Sequence, residues 1–155
     1  MSTTKANEQL LHQVPYILYA VDDMDDQAFI AEMMRRVRPG IVIKCFMNGL
    51  ELVQFLEQMP DRSLLPACIV LDLNMPVWDG MHTLKVLKQH KAYQSIPAFM
   101  FSTSSSERDM ALAESLGAVA YITKPYGQQE LFSVCQEFAE YCDLEQRQKL
   151  YAIRQ

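Results

Sequence analysis

An apolar run that ends in a single acid constrains the fold of this chain more than any other segment does. Residues 69–80 read IVLDLNMPVWDG, so the run stops at Asp72, and a loop with Asn74, Pro76 and Gly80 follows. A parallel strand that is buried on both faces reads as a continuous apolar run. A polar residue at the end of such a strand lies at the carboxyl edge of the sheet, where open α/β folds place their chemistry. We therefore predict that Asp72 is displayed at the mouth of a crevice.

Five apolar runs recur along the chain, and each is followed by a helical pattern. They cover residues 16–21, 41–46, 67–73, 98–102 and 119–122. Strict alternation of strands and helices favours a parallel sheet with helices on both faces, and right-handed crossovers make that sheet doubly wound. The predicted fold class is therefore α/β, with a five-stranded, doubly wound parallel sheet.

The first predicted helix follows the first apolar run. Phe29, Met33 and Val37 recur at helical spacing, with Ile30 and Met34 beside them, and predict its apolar stripe. Asp25 or Asp26 is expected to cap this helix by accepting backbone N–H bonds. The helix would then begin beside the acids that end the first strand.

Composition argues against several functional classes. The 155 residues carry a formal charge of −5 and no basic block, which argues against binding to nucleic acid through its phosphates. No apolar run approaches the roughly 18 residues of a transmembrane helix, and the N-terminus lacks the pattern of a signal peptide. The four cysteines show no CxxC spacing, so we predict buried free thiols and a reducing, cytoplasmic setting.

Polar side chains follow four of the five predicted strands. Asp22 and Asp23 end the first strand, Asp72 the third and Ser102 the fourth, while the fifth runs into Lys124. In a doubly wound parallel sheet these strand ends share one edge. We therefore expect acids, a hydroxyl and an ammonium group to meet in one crevice.

The chemistry of these groups predicts a metal-assisted site for a phosphoryl group. Three carboxylates close together cannot all stay ionised without a counter-charge. The available ligands are oxygens, which favours a hard ion, Mg²⁺ or Mn²⁺. Asp22 and Asp23 are the candidate metal ligands, the backbone carbonyl of Asn74 is a further one, and Asp72 is the candidate nucleophile. The ion and the lysine would balance the phosphoryl oxygens while the hydroxyl donates a hydrogen bond.

Each of these groups also has an ordinary structural interpretation. Asp22 and Asp23 could simply cap the following helix. Ser102 could bond to its own backbone at the strand end, and Lys124 could be a solvated surface lysine. The whole constellation is far more specific than any one of its members.

Several motifs together resemble the receiver domain of two-component response regulators. They are VDD at 21–23, LDLNMPVWDG at 71–80, Ser102, and KPY at 124–126. The resemblance covers roughly residues 16–142 and implies the flavodoxin-like strand order 2-1-3-4-5. Residues 1–15 would then form an N-terminal tail, and residues 143–155 would extend the last helix.

The resemblance also implies roles for the acidic residues. Asp72 would accept a phosphoryl group from a histidine kinase or a His-containing phosphotransfer protein. Asp23, Asp72 and the Asn74 carbonyl would hold Mg²⁺ directly, and Asp22 would act through a water molecule.

A stand-alone signalling switch, rather than an enzyme, is the function that the resemblance implies. Ser102 and Lys124 would assist the phosphoryl chemistry, and Ser102 and Tyr121 would act as the switch. The fourth helix, fifth strand and fifth helix would bind an unknown downstream protein. We expect no direct contact with nucleic acid or membrane, and a monomer or weak homodimer.

Three alternatives stay open at this point. A phosphorelay intermediate would take the same group and pass it to another histidine, and a scaffold of the same fold would take none. A Mg²⁺-dependent phosphatase of the haloacid-dehalogenase type also uses an Asp nucleophile, a Ser/Thr, a Lys and paired acids. In that class, however, the nucleophile lies on the first motif strand as DxD. Here the acid pair comes first and Asp72-Leu73-Asn74 lacks the second acid, which argues against the phosphatase.

Overall fold

The computed structural model of the protein describes residues 15–59 and 65–143. The predicted tail at 1–15 and the predicted extension at 143–155 therefore lie, apart from one residue each, outside the described residues. None of the helices formed by the described part of the chain has the length and apolar character that a bilayer span requires.

Strands and helices alternate throughout the described residues. In chain order they are β1 (Tyr16–Ala20), α1 (Met24–Val37), β2 (Val42–Phe46), α2 (Gly49–Glu57), β3 (Cys68–Leu71), α3 (Gly80–Gln89), β4 (Ala98–Ser102), α4 (Glu107–Ser115), β5 (Ala120–Thr123) and α5 (Gln128–Glu140). The strands form one sheet in the order β2-β1-β3-β4-β5, and every neighbouring pair is parallel. The predicted fold class and strand order are confirmed.

Burial explains why three of the strands read as continuous apolar runs. Every residue of β1, β3 and β4 is buried, whereas the edge strands β2 and β5 are only partly so. One core on one face of the sheet includes Ile17, Val70 and Phe99 and packs against α1 and α5. A second core on the other face includes Leu18 and Ile69 and packs against α2 and α3. Side chains alternate between the faces of a strand, so a strand covered on both sides is filled by apolar side chains up to its carboxyl end, where β4 closes with Ser102.

Helix α1 differs from the sequence expectation in its cap and in its buried face. The capping residue is Asp23, whose Oδ1 atom accepts hydrogen bonds from the backbone N–H groups of Asp25 at 2.8 Å and Asp26 at 3.1 Å. The prediction that Asp25 or Asp26 caps the helix was therefore wrong, because both residues already lie in its first turn. Of the predicted apolar stripe, Met33 is buried together with Ile30 and Met34, and Val37 packs against the core, but Phe29 is 52% exposed.

All four cysteines lie in the described residues and are free thiols, as predicted. Cys68, Cys135 and Cys142 are buried, and Cys45 is partly buried at the sheet edge. Burial raises the pKa of the Cys135 thiol to about 12. These thiols therefore behave as small apolar side chains of the core.

Backbone hydrogen bonds align the carboxyl ends of the strands. The N–H of Asp72 donates to the carbonyl of Ala20 at 2.9 Å, and the N–H of Lys124 donates to the carbonyl of Ser102 at 2.7 Å. The end of β3 thus lies beside the end of β1, and the end of β5 beside the end of β4. The polar residues that follow these strands start from one edge of the sheet.

Candidate functional site

Asp72 follows the last residue of β3 and lies at the carboxyl edge of the sheet. In the register of the two strands Leu71 pairs with Ala20, so Asp72 is adjacent to the chain that leads into Asp22 and Asp23. Its side chain is 13% exposed. The carboxylate is therefore sheltered by the loops around it but still open to a reagent from solvent.

Lys124 provides the positive charge of the site. Its Nζ atom donates to Asp72 Oδ2 at 2.9 Å and to Asp26 Oδ2 at 2.9 Å. Burial by itself lowers the pKa of the Lys124 ammonium, but the hydrogen bonds and charges of Asp72 and Asp26 outweigh it and raise that pKa above its ordinary value. The group is thus a permanent cation at neutral pH, and the interpretation as a solvated surface lysine was wrong, because the side chain is only 14% exposed.

Asp22, Asp23 and Asn74 are the remaining predicted metal ligands, and all three are exposed around Asp72. The hydrogen bonds from the backbone N–H groups of Asp25 and Asp26 end on Oδ1 of Asp23, and the bond from Lys124 ends on Oδ2 of Asp72. Each carboxylate has a second oxygen outside those bonds, and oxygen donors of this kind suit Mg²⁺ or Mn²⁺. Within residues 15–59 and 65–143, no three acidic, histidine or cysteine side chains are already spaced to hold a metal ion. The donor set therefore fits such an ion by its chemistry, and the assignment of individual ligands stays a prediction.

Ser102 and Tyr121 are joined through the backbone of one residue, Ser104. The Oγ atom of Ser102, which is fully buried, accepts a hydrogen bond from the N–H of Ser104 at 3.2 Å. The hydroxyl of Tyr121 donates to the carbonyl of Ser104 at 2.8 Å. The structure thus shows the bond of Ser102 to the backbone after its strand, which was one sequence interpretation, and the Tyr121 hydroxyl reaches the same loop from β5.

The loop between β3 and α3 brings the backbone of Gly80 against that of Asp72. A Cβ atom on Gly80 would lie 2.1 Å from the carbonyl oxygen of Asp72 and 2.7 Å from Cε of Met100. The N–H of Gly80 also donates to the carbonyl of Leu73 at 2.9 Å. Glycine is therefore the residue that allows this loop to close behind Asp72.

Two residues of the site escaped the sequence analysis. Asp26 was considered only as a helix cap, yet it binds Lys124 across 98 positions of sequence. Ser104 lies between Ser102 and Ser106, the residue that caps α4. Neither residue belongs to a strand-end motif. The available signals were the position of Asp26 near a helix start and that of Ser104 in the loop after β4.

Comparison with known proteins assigns the chain to a family. The model of the response regulator receiver domain matches residues 18–136. The chain belongs to the response regulator receiver domain family. This receiver is 30% identical over 122 residues to the response regulator Rcp1 of Synechocystis sp., a match that covers 77% of this chain and 83% of Rcp1. The family acts in two-component signalling, as the motifs indicated.

Solved structures of response regulators have the same fold as this receiver. The Mn²⁺-bound form of Rcp1 superposes with a TM-score of 0.72 at 27% identity, over 84% of this chain and 96% of that one. The phosphorylated cyanobacterial phytochrome response regulator RcpA superposes with a TM-score of 0.73 at 27% identity, over 83% of this chain and 94% of that one. Both similarities extend over nearly the whole of the related chains.

Other relatives are much longer than this receiver. The sensor histidine kinase CheAY of Helicobacter pylori is 28% identical over 120 residues, but the receiver spans only 14% of it. Only a part of such a relative corresponds to this chain. Family membership also argues against the haloacid-dehalogenase alternative.

Proposed function

We propose that this receiver is a phosphorylation-activated signalling switch that accepts a phosphoryl group on Asp72. The observation that carries the proposal is the pair formed by the Asp72 carboxylate and the Lys124 ammonium, 2.9 Å apart at the carboxyl edge of the sheet. A carboxylate is a weak nucleophile that needs its product charge stabilised, and a neighbouring cation that is largely shielded from water does so.

The phosphoryl donor that we propose is a phosphohistidine of a histidine kinase or a His-containing phosphotransfer protein. In the reaction a carboxylate oxygen of Asp72 forms a bond to phosphorus while the bond from phosphorus to the imidazole nitrogen breaks. The imidazole leaves with the electron pair and takes up a proton. Lys124 stays protonated and balances the negative charge of the phosphoryl oxygens.

Asp23, Asp72 and the Asn74 carbonyl are the groups that would hold Mg²⁺, or Mn²⁺ in its place, with Asp22 acting through water. When bound, the ion would supply further positive charge to the phosphoryl oxygens. The Mn²⁺-bound form of the related Rcp1 supports the proposal. The phosphorylated form of the related RcpA supports the proposed modification.

Ser104 gives the proposed switch a physical connection. If Ser102 turns its hydroxyl to a phosphoryl oxygen, it gives up the bond from the N–H of Ser104. Because Tyr121 is bonded to the carbonyl of Ser104, a movement of that residue changes the partner of the Tyr121 hydroxyl as well. The loop after β4 and the face formed by α4, β5 and α5 would then present a different surface to a downstream protein.

We also propose that the protein works in the cytoplasm and turns over no separate substrate. Its partners would be the phosphodonor and a downstream protein, with no direct contact to nucleic acid or membrane. The net charge of −5 supports the absence of a nucleic-acid partner.

Labelling with acetyl phosphate and Mg²⁺ tests the proposed acceptor. The wild-type chain is expected to take up a single phosphoryl group on Asp72, and Asp72→Asn is expected to take up none while its melting curve stays that of a folded protein. Asp25→Asn is the matched control, because it removes an exposed acid from the same edge. An aspartyl label that persists in Asp72→Asn would show that the acceptor is another residue, and steady release of phosphate from small esters would indicate a phosphatase.

A further inference from the structure

Asp26 makes a contact that the proposed roles of the other residues do not explain. Its Oδ2 atom lies 2.9 Å from Lys124 Nζ, the same distance as Asp72 Oδ2. The side chain of Asp26 is 44% exposed, whereas those of Lys124 and Asp72 are 14% and 13% exposed. Two carboxylates therefore share one ammonium group, one from the rim of the site and one from its interior.

The pair formed by Asp26 and Lys124 is anchored independently of Asp72. The backbone N–H of Asp26 donates to Oδ1 of Asp23, which holds Asp26 in the first turn of α1. The backbone N–H of Lys124 donates to the carbonyl of Ser102, and its Nζ atom lies 5.7 Å from the centroid of the Phe101 ring. The pair thus connects the start of the first helix to the end of the fifth strand.

Phosphoryl transfer changes Asp72 but leaves Asp26 unchanged. The Asp72 side chain loses its own carboxylate charge as the acyl phosphate forms, so it becomes a weaker hydrogen-bond acceptor for Lys124. Lysine has a flexible four-carbon side chain that loses about 2 kcal/mol of rotamer freedom when it is held in place. A second partner that does not react keeps the ammonium in position throughout the reaction.

We propose that Asp26 is a positioning residue for phosphoryl transfer, which holds the Lys124 ammonium against the phosphoryl group on Asp72. This role rests on the function proposed above. A misplacement of about 1 Å in a reacting geometry can cost up to about 100-fold in rate. The negative charge of Asp26 also opposes an anionic donor, so its removal acts on the rate of transfer and on donor binding in opposite directions.

The test compares four variants in the rate of labelling by acetyl phosphate with Mg²⁺. Asp26→Ala and Asp26→Leu remove the acceptor, and both are expected to lower the maximal rate about tenfold without raising the half-saturating donor concentration. Asp26→Asn keeps an oxygen that accepts from Lys124, so its maximal rate is expected to stay within about threefold of wild type. Asp25→Ala removes a neighbouring acid with the same net charge change, and it is expected to behave as wild type.

A second measurement uses the metal-free, unphosphorylated protein. In NMR spectra the ammonium protons of Lys124 are expected to exchange slowly in the wild-type chain, in Asp26→Asn and in Asp25→Ala. They are expected to broaden or disappear in Asp26→Ala and Asp26→Leu, because the ammonium then has one anchor fewer. Melting curves of all variants verify that each is folded.

Different outcomes overturn the two proposals. A wild-type chain that takes no label on Asp72 refutes the proposed function, whatever the Asp26 variants do. A wild-type chain that is labelled as fast as Asp26→Ala and Asp26→Leu refutes only the positioning role. An Asp26→Asn rate as low as that of Asp26→Ala also refutes it, since the charge rather than the held ammonium would then matter.

Discussion

Gly80→Ala is the substitution whose effect follows most directly from the geometry of the site. The added Cβ would lie 2.1 Å from the carbonyl oxygen of Asp72 and 2.9 Å from its carbonyl carbon. Comfortable contacts between heavy atoms begin near about 3.5 Å, so one of the two backbones has to move by roughly 1 Å. The methyl group of Met100 can turn aside, but Asp72 is held by its own N–H bond to Ala20.

The expected cost has two parts of opposite sign. Overpacking of this kind costs about 3 kcal/mol at the upper end of its usual range. Alanine regains up to about 1 kcal/mol relative to glycine at the start of α3. We therefore expect Gly80→Ala to lower the free energy of unfolding by about 2 kcal/mol, which corresponds to a melting temperature lower by roughly 4 to 8 °C.

The same displacement should affect the chemistry at Asp72. A shift of about 1 Å in a nucleophile can slow its reaction up to about 100-fold, so labelling by acetyl phosphate should slow far more than the loss of stability explains. Urea unfolding and labelling rates measured on the same preparation separate the two effects.

Gly117→Ala serves as the control for this prediction. Gly117 differs from Gly80 in having a left-handed backbone, with φ of +99°, and the nearest atom to a Cβ added there is Cγ of Lys88 at 3.4 Å. This variant is expected to lose about 1 to 2 kcal/mol from the backbone conformation alone and to be labelled at the wild-type rate. If Gly80→Ala is as stable as wild type and is labelled as fast, the close approach to Asp72 does not constrain the site.

Two further predictions concern backbone strain and pH. Val77 has φ of 66° and is 71% exposed. Val77→Gly is therefore expected to raise the free energy of unfolding by about 1 kcal/mol, because the relief of backbone strain exceeds the entropy cost of glycine. A melting temperature lower than that of the wild type would contradict this prediction. Burial raises the pKa of Cys135 from 9.0 to about 12, so the folded protein keeps a proton that the unfolded chain loses. This thiol should therefore leave the free energy of unfolding unchanged below pH 9, and its contribution should lower that free energy by about 1.4 kcal/mol per pH unit above pH 9. In urea unfolding measured between pH 9 and about 10.5, Cys135→Ala should lose stability with pH less steeply than the wild type does. Equal slopes would mean that this thiol is not the one that titrates.

The residues of the site that the sequence did not predict are those whose roles depend on long-range contacts. Asp72 and Lys124 were predicted because each follows a strand, and parallel strands end at a common edge. Asp26 was assigned only a local role, since nothing in its neighbours indicates a lysine 98 positions away. Which of several acids in one helical turn reaches that lysine depends on how α1 docks on the sheet, and a difference of one residue rotates the side chain by about 100°.

The cap and the exposed face of α1 illustrate the same limit on a smaller scale. The helical spacing of apolar residues was real, and Ile30, Met33 and Met34 are buried, but Phe29 at the edge of the predicted stripe lies at the surface. Similarly, four acids near the helix start could each accept backbone N–H bonds. Asp23 caps the helix because the helix begins directly after it. Sequence periodicity indicates that a stripe exists, whereas its angular position is decided by the surface against which the helix packs.

The sequence by itself determined the class of the fold, its alternating order and the acids and lysine that lie at the strand ends. Those features follow from local hydrophobic periodicity, because a strand buried on both faces carries apolar residues along its length and polar ones from its carboxyl end onward. The tertiary structure alone decided which partners these groups choose: Asp26 for Lys124, and Ser104 for both Ser102 and Tyr121. Hydrogen bonds depend on distances of a few tenths of an ångström, and such distances are established only when every helix has docked on the sheet.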